Sequence, residues 1–221
     1  MKGRFMAFAS AAAVCLAGAA FAPAASMAQD PILFVHGYSE SASLWNTMIG
    51  RFEKDGYAKS ALSAYTYNTS QSNKIDAEEV KSKVETLLKN NASATKVDII
   101  AHSMGSLNSR YYIKNLGGEA KVDDWVSLGG PNHGTEFANL CTSASCIEMR
   151  IGSTFLKELN ATDETPGAVN YGTWWSPCDE IINPDSSVAL SGATNTETAC
   201  MSHTALTTDD TVYKQVREFV K

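Results

Sequence analysis

Residues 96–105 read Lys-Val-Asp-Ile-Ile-Ala-His-Ser-Met-Gly, an apolar stretch that ends at a serine with a small residue two positions before and after it. The apolar part is typical of a strand buried on both faces of a parallel sheet. A helix predicted to reach about Leu116 follows Ser103 without a loop and stops at Gly117-Gly118. These features predict a nucleophile elbow, a tight turn that lifts a serine hydroxyl above the sheet edge. The alternative is a serine that only caps a helix, which is common.

Strand and helix patterns alternate on both sides of this turn. Continuous apolar or β-prone runs predict strands, and apolar residues at helical spacing predict helices. The strands are predicted at residues 31–35, 64–67, 96–101, 124–128 and 171–175, and the helices at residues 44–56, 75–88, 103–116, 155–159 and 208–220. Apart from the helix at 155–159, residues 141–170 are predicted to be irregular. This alternation predicts an α/β fold, a three-layer sandwich with a mostly parallel central sheet.

The first 28 residues are predicted to be a signal peptide. Lys2 and Arg4 form a basic start, an Ala-rich apolar stretch follows over residues 5–22, and Ser26-Met27-Ala28 supplies small residues for cleavage before Gln29. The alternative is a membrane anchor. The apolar run is short, only weakly hydrophobic and followed by a cleavage-type sequence, which favours the signal peptide and a secreted mature protein.

The composition is that of a globular protein. The chain has 221 residues, of which 44% are hydrophobic and 19% charged, and residues 29–221 are predicted to form a single domain. Removal of Lys2 and Arg4 leaves 16 basic against 24 acidic residues, which changes the net charge from −6 to −8. An acidic chain without a basic cluster is not expected to bind nucleic acid. No segment after the signal peptide is expected to span a membrane, and no pattern specifies an oligomeric state.

Four of the five cysteines remain after removal of the segment that contains Cys15: Cys141, Cys146, Cys178 and Cys200. An even number in an exported chain predicts two disulfides, for which three pairings exist. A zinc site is the alternative, but the chain has no Cys-x-x-Cys pair and no matching histidine spacing. We therefore expect disulfides, with no metal and no cofactor.

A second motif, Val35-His36-Gly37-Tyr38, ends the first predicted strand. A serine that attacks a carbonyl needs two N–H donors aimed at the oxygen that becomes negative. The residue after the serine, Met104, supplies one backbone amide, and Tyr38 is positioned to supply the other. The Tyr38 ring is then free to line an acyl pocket.

A serine nucleophile also needs a histidine base. His36 belongs to the His-Gly turn and is expected to form structural hydrogen bonds, whereas His102 adjoins the serine and is expected to point away from it. His133 follows the third long strand, and His203 precedes the last helix. The order serine, acid, histidine makes His203 the first choice and leaves His133 as the alternative.

Several carboxylates between the serine and His203 could orient the base. Asp179 is the best placed, because it follows the apolar residues Thr173-Trp174-Trp175 and would lie near a strand end. Glu180 and Asp185 are weaker candidates. A solvated loop charge is the ordinary interpretation of any single aspartate.

The sequence resembles the small secreted α/β-hydrolase lipases and esterases of bacteria, of the Bacillus type. The similarity includes the nucleophile segment 96–105, with alanine as its first small residue, and extends over most of the mature chain at segments 111–116, 176–182, 190–195 and 202–206. The resemblance implies an α/β-hydrolase fold and hydrolysis of carboxylic esters or lipids. It also implies a triad of Ser103, Asp179 and His203, with an oxyanion hole formed by the Tyr38 and Met104 amides.

The sequence departs from this family at three points. Ser106 replaces a second glycine after the elbow, residues 130–135 look more like other secreted lipases, and the smallest members lack the four cysteines and the stretch 141–170. The acyl-chain preference therefore does not carry over. An inactive binding protein of the same fold, or an acyltransferase or amidase with the same site, remains an alternative.

The triad also predicts how the cysteines pair. Cys178 adjoins Asp179, and Cys200 lies three residues before His203, so the two loops must converge if acid and base meet. We expect disulfides between Cys178 and Cys200 and, closing a small loop, between Cys141 and Cys146.

Overall fold

The structure, a computed structural model, describes Met1, Gly3 and residues 29–221 of the chain. Apart from Met1 and Gly3, the predicted signal peptide over residues 1–28 lies outside the described residues, and its cleavage stays a prediction. From residue 32 to residue 219, strands and helices alternate along the chain.

Six strands form one sheet in which every pair of neighbours is parallel. Their spatial order is β2-β1-β3-β4-β5-β6, so the chain leaves β1 toward one side and later returns to the other. Such a reversal opens a crevice at the carboxyl ends of the two strands that flank it, here β1 and β3. The strands are β1 (Ile32–Val35), β2 (Leu62–Ala64), β3 (Val97–His102), β4 (Val122–Leu128), β5 (Asn170–Trp175) and β6 (Thr194–Glu197).

Helices cover both faces of this sheet. α2 and α3 pack on one face and α1 and α6 on the other, which gives three layers. This arrangement confirms the predicted three-layer α/β fold, in which the strands are buried on both sides. The helices are α1 (Asn46–Lys54), α2 (Asn73–Asn90), α3 (Gly105–Asn115), α4 (Ala144–Met149), α5 (Thr154–Asn160) and α6 (Asp210–Phe219).

Alternation of side chains along the strands explains the continuous apolar runs. In β1, Ile32 and Phe34 pack toward α1 and α6, whereas Leu33 and Val35 pack toward α2 and α3. All four side chains are completely buried. Burial of each such side chain contributes about 1.5–3 kcal/mol relative to leaving it exposed. The short central strands are thereby held firmly, and the loops at their ends start from fixed positions.

Three segments differ from the sequence prediction, and one of them is the edge strand β6, which was not predicted. β2 ends at Ala64, before the predicted run 64–67 is complete, because Tyr67 leaves the sheet and its hydroxyl donates to the His36 carbonyl at 2.6 Å. The stretch 141–170, predicted to be irregular apart from one helix, also contains α4. Ser143 caps this helix by accepting a hydrogen bond from the Cys146 amide.

Candidate active site

Ser103 lies directly after β3, in a strained turn at the crevice. Its φ of 52° is in the left-handed region, where the backbone conformation of a residue with a side chain costs about 1 kcal/mol or more in free energy. Two glycines make room for this turn. A Cβ on Gly105 would lie 2.6 Å from the His36 carbonyl oxygen, and one on Gly37 would lie 2.7 Å from the Ser103 Cβ. The strand, the strained serine and the close glycines together form the elbow that the sequence predicts (residues 101–105).

His203 and Asp179 form a buried pair beside the elbow. The His203 Nδ1 and the Asp179 Oδ2 lie 2.7 Å apart, and the two side chains are 6% and 1% exposed. The other carboxylate oxygen of Asp179 accepts hydrogen bonds from the Ile181 and Ile182 amides, both at 2.9 Å. Because the carboxylate is fixed from its far side, it fixes the orientation of the imidazole.

The surroundings shift the pKa of both partners. Burial raises the pKa of Asp179, but the hydrogen bond and charge of His203 and the two backbone amides outweigh it, so this pKa lies below its ordinary value. Burial, followed by the charge of His102, lowers the pKa of His203, and the contact with Asp179 opposes the change only in part. The carboxylate is therefore ionised and the imidazole is neutral at pH 7.

His203 lines the same cavity as Ser103, and within residues 29–221 one of its ring nitrogens has no hydrogen-bond partner. Because Nδ1 must donate to a carboxylate, the neutral ring carries its proton there, and Nε2 is left as an acceptor. Nε2 is buried and has no hydrogen-bond partner among the described residues. Ser103 and His203 are not hydrogen-bonded to each other, although both line one cavity of about 290 Å³. Such contacts often tighten only when substrate binds.

The cavity wall is mostly apolar. It includes Tyr38, one of the two candidate oxyanion residues, and Ser103, which directly precedes the other. Its apolar side chains include Pro131, Phe137, Met149, Ile181 and Ile182. The Tyr38 ring also lines it, as the sequence predicts, and Met104 immediately precedes α3. Within the described part of the chain, neither the Tyr38 amide nor the Met104 amide donates a hydrogen bond.

Two disulfides match the expected pairing. Cys178 is joined to Cys200 across 22 residues, with their Cα atoms 5.0 Å apart, and Cys141 is joined to Cys146. The first bond connects the acid loop (residues 176–182) with the base loop (residues 200–206). Cys141 lies in the wall of the cavity.

The alternative base, His133, and the alternative acids, Glu180 and Asp185, form different hydrogen bonds. His133 is 2.7 Å from Glu164 through Nε2 and does not line the cavity that contains Ser103. Glu180 accepts a hydrogen bond from the His203 amide, and Asp185 accepts one from the following Ser186 amide. His36 has the structural role expected of it, since its ring stacks on Tyr67 with 4.3 Å between centroids.

A contact that the sequence does not predict joins Glu40 to His102. The Glu40 Oε2 lies 2.9 Å from the His102 Nδ1 and also accepts from the Gly37 amide at 2.7 Å. His102 turns away from the serine but toward the base loop, and its ring centroid is 4.4 Å from that of His203. The sequence does contain a signal for this contact: a carboxylate shortly after the first His-Gly turn and a histidine directly before the serine.

The described residues contain neither a cluster of metal-binding side chains nor a membrane-spanning helix. Within residues 29–221, no three His, Cys, Asp or Glu side chains gather as a metal site would require. In the same part of the chain, no helix is both long enough and apolar enough to cross a bilayer.

Comparison with known proteins identifies the family. A family model described as lipase, class 2, matches residues 29–220. The chain belongs to the class 2 lipases. This lipase is therefore a carboxylic ester hydrolase with the α/β-hydrolase fold, which confirms the resemblance found in the sequence, and its family implies an ester or lipid substrate.

Solved structures share the fold of this lipase at low sequence identity. The mature form of Bacillus licheniformis lipase BlEst2 has a TM-score of 0.78 and 18% identity, over 89% of this chain and 94% of that one. Aspergillus fumigatus lipase B has a TM-score of 0.70 and 16% identity, over 84% of this chain and 51% of that one. For the product of the gene lin2722 from Listeria innocua the values are 0.66 and 13%, over 87% and 94%.

Proposed function

We propose that this lipase hydrolyses esters through an acyl-enzyme on Ser103, with His203 as general base and acid and Asp179 as the group that orients it. The observation that carries the proposal is the buried His203–Asp179 pair, in which the His203 Nε2 has no hydrogen-bond partner in the part of the chain that the structure describes and His203 lines the same cavity as the strained Ser103. A histidine held in one tautomer by a carboxylate, with its second nitrogen free near a serine, is the arrangement that serine hydrolases need.

In the first half of the reaction, the Ser103 oxygen attacks the ester carbonyl carbon while its proton passes to the His203 Nε2. The carbonyl oxygen becomes an oxyanion, which accepts hydrogen bonds from the Tyr38 and Met104 amides. When the tetrahedral intermediate collapses, the bond to the alcohol oxygen breaks and Nε2 returns the proton to the leaving alcohol. In the second half, water attacks the acyl-enzyme carbonyl while it gives a proton to Nε2. The second tetrahedral intermediate then collapses, the bond between the acyl carbon and the Ser103 oxygen breaks, and Nε2 returns the proton to that oxygen as the carboxylic acid leaves.

Local electrostatics favours these steps. Met104 lies at the start of α3, where unpaired amides and the helix dipole stabilise a developing negative charge. Asp179 remains ionised because its pKa is low, so it stabilises the imidazolium that forms on His203. The depressed pKa of His203 keeps the free base available below its ordinary titration range.

The cavity favours an apolar acyl group. Its side chains around the serine are largely hydrocarbon, so they gain by covering a fatty acyl chain. An anionic or strongly polar acyl group would lose hydration there without a compensating partner. The proposed substrates are therefore esters of uncharged aliphatic acids.

Substitution Ser103→Ala tests the assignment. We expect hydrolysis of p-nitrophenyl butyrate to fall by about 10⁴-fold or more, because the nucleophile is lost while the fold is kept. Ser186→Ala, at an exposed position away from the cavity, is the matched control. A serine-directed phosphonate should label Ser103 in the wild-type protein, as read by peptide mass spectrometry. Activity of Ser103→Ala near the wild-type value contradicts the proposal, and equal cleavage of the matching anilide would favour an amidase.

We also propose that the lipase works outside the cytoplasm after cleavage before Gln29. Two disulfides support this, because such bonds persist mainly in oxidising compartments. Amino-terminal sequencing of the protein recovered outside the cytoplasm of a bacterial host should begin at residue 29, or require removal of pyroglutamate first. Recovery of the intact chain from the cytoplasm, with reduced cysteines, contradicts the proposal.

A further inference from the structure

Glu40 and His102 form a second carboxylate–histidine pair in contact with the proposed triad. The Glu40 Oε2 lies 2.9 Å from the His102 Nδ1 and accepts from the Gly37 amide at 2.7 Å. The Glu40 side chain is 18% exposed, and the His102 side chain is completely buried. Gly37 precedes Tyr38 and His102 precedes Ser103, so one carboxylate oxygen ties the oxyanion loop (residues 36–40) to the elbow.

The other nitrogen of His102 reaches the base loop. His102 Nε2 lies 3.2 Å from the backbone carbonyl oxygen of His203. A carbonyl oxygen can only accept a hydrogen bond, so the contact requires a proton on Nε2. The two imidazole rings also pack against each other, with 4.4 Å between their centroids. His102 thus connects the oxyanion loop, the elbow and the base loop through three side-chain contacts.

These contacts restrict the protonation state of the Glu40–His102 pair. With Nε2 protonated, the contact between Nδ1 and Glu40 needs one more proton, either on Nδ1 or on the carboxyl group. In both forms the pair has zero net charge. The other titratable groups that face His102 are His36 on the oxyanion loop and His203, which is backed by Asp179. An uncharged pair avoids adding a net positive charge beside His203 when that ring becomes an imidazolium.

We propose that Glu40 and His102 are positioning residues of this lipase, which hold the oxyanion loop and the base loop against the elbow with His102 protonated at Nε2. The proposal rests on the proposed function, in which Tyr38, Ser103 and His203 must meet around one carbonyl group. Misplacement of such groups by about 1 Å can lower the rate by about 100-fold. A pair of side chains that positions three of these groups therefore affects the rate directly.

Amide variants of His102 separate its two contacts. In His102→Gln the side-chain N–H₂ can reach the His203 carbonyl, as Nε2 does. In His102→Asn the shorter amide can reach Glu40 only. His133→Gln is the matched control, because His133 also pairs with a glutamate at 2.7 Å but lies outside the cavity.

We expect His102→Asn and Glu40→Ala to lower kcat for p-nitrophenyl butyrate by about 10-fold or more, with KM within about 2-fold. His102→Gln keeps the contact with the base loop but not the one with Glu40, so it should lower kcat less than His102→Asn does, and His133→Gln should match the wild type. Melting temperatures identify any variant that fails to fold. Side-chain ¹⁵N NMR of the wild-type protein at pH 8 should show a proton on the His102 Nε2, a readout that needs neither a variant nor activity.

A bare Nε2 on His102 overturns the proposal, as does wild-type kcat in folded His102→Asn or in folded Glu40→Ala. Ser103→Ala, assayed in the same series, keeps the two proposals distinguishable. If Ser103→Ala remains active, the proposed function fails whatever the NMR shows. If it is inactive while His102→Asn is not, only the positioning role fails.

Discussion

Asp179 accepts hydrogen bonds from two directions, and both are needed to explain its proposed role. The Ile181 and Ile182 amides hold one oxygen at 2.9 Å, so the other oxygen faces His203 in a single orientation. Contacts with the two following amides also occur in exposed loops, but the Asp179 side chain is only 1% exposed, which distinguishes it from a solvated loop carboxylate.

Asp179→Asn is therefore expected to lower kcat by about 10⁴-fold while the fold is kept, because an amide no longer selects the required tautomer of His203 or stabilises its charged form. Phosphonate labelling of Ser103 should become slow rather than vanish. Steady-state kinetics and timed labelling measure the two effects. Asp185→Asn is the control, since Asp185 contacts only the Ser186 amide next to it. A larger loss in Asp185→Asn would transfer the acid role to that residue.

The sequence was informative about residues that follow strongly apolar segments. Ser103 and Asp179 come after the predicted strands, and chain order then favours His203, so the structure brings these three together as predicted. Glu40 and His102 are different. Their contact joins residues 62 positions apart and depends on how the oxyanion loop folds over the elbow. No local pattern specifies such a side-chain contact, because each residue alone is compatible with a solvated or a structural role.

Disulfide Cys178–Cys200 acts at the scale of two loops. It closes 22 residues and joins the acid loop to the base loop, whereas Cys141–Cys146 closes only 5. In the chain-entropy model these loops are worth about 3 and about 2 kcal/mol, respectively. The larger bond also restrains the separation of Asp179 and His203, which makes its effect on activity specific.

We expect the double variant Cys178→Ser/Cys200→Ser to lose activity at temperatures at which its circular dichroism is still native. The physical reason is that the acid and base loops can separate locally at a lower free energy than global unfolding needs. Thermal inactivation and thermal unfolding, measured in parallel, provide the comparison. Cys141→Ser/Cys146→Ser serves as the control. Coincident loss of activity and structure in the first double variant would show that the bond only stabilises the whole domain.

Residues 136–151, here called the cap segment, carry an unusual share of the exposed apolar surface. Phe137, Leu140, Ile147 and Ile151 are 40%, 79%, 48% and 52% exposed, respectively. The segment folds back on itself through its disulfide and through Arg150, which donates to two of its carbonyl groups. Because Phe137 also lines the cavity, this apolar surface adjoins the cavity mouth. An apolar surface at a cavity mouth favours contact with aggregated ester substrates.

Leu140→Asp is expected to lower the rate on an emulsified long-chain triacylglycerol by about 10-fold, because a Leu side chain transferred from water to hydrocarbon contributes about 1.5–3 kcal/mol. The rate on dissolved p-nitrophenyl butyrate should stay within about 2-fold. Ile75→Asp, on the exposed side of α2, is the control because Ile75 is 54% exposed but does not line the cavity. Equal losses on both substrates would indicate a folding defect, and no loss on either would contradict contact through the cap segment.

The elements that sequence patterns predicted well are those whose burial is nearly complete. β1 is a continuous apolar run, and β3 and β4 contain the apolar stretches 99–101 and 125–126, all in the sheet centre where both faces are covered. β6 (Thr194–Glu197) was not predicted, because its four residues are polar and mostly exposed at the sheet edge. It is held beside β5 by backbone pairing and by a hydrogen bond from Thr173 to Asn195. α4 was also missed, because six residues are too few to show a helical period.

Considered as a whole, the molecule has its proposed catalytic groups at one end of the sheet and a buried acidic group at the other. At the amino-terminal end of β3, Asp98 is 2% exposed and accepts a hydrogen bond from the Asp124 amide. Burial, followed by the charge of Asp124, raises the pKa of Asp98 well above its ordinary value, and burial raises the pKa of Asp124 to about 6. Unlike the pKa of Asp179, the pKa values of these two carboxyl groups lie above their ordinary value, so folding favours their protonated forms more than the unfolded chain does.

A carboxyl group whose pKa is higher in the folded than in the unfolded state stabilises the fold at low pH. That contribution is complete below the unfolded pKa of 3.8 and is lost as the pH rises through the folded value. We therefore expect Asp98→Asn to raise the melting temperature relative to the wild type by about 2–4 °C at pH 8, with a smaller difference at pH 4. Differential scanning calorimetry at pH 4, 6 and 8 measures the trend, and Glu197→Gln, at an exposed edge, is the control. Ester hydrolysis should be unchanged, because Asp98 lies at the opposite end of β3 from Ser103. A gain that is larger at pH 4 than at pH 8 would contradict the sign of the effect and would mean that Asp98 is stabilised in its ionised form.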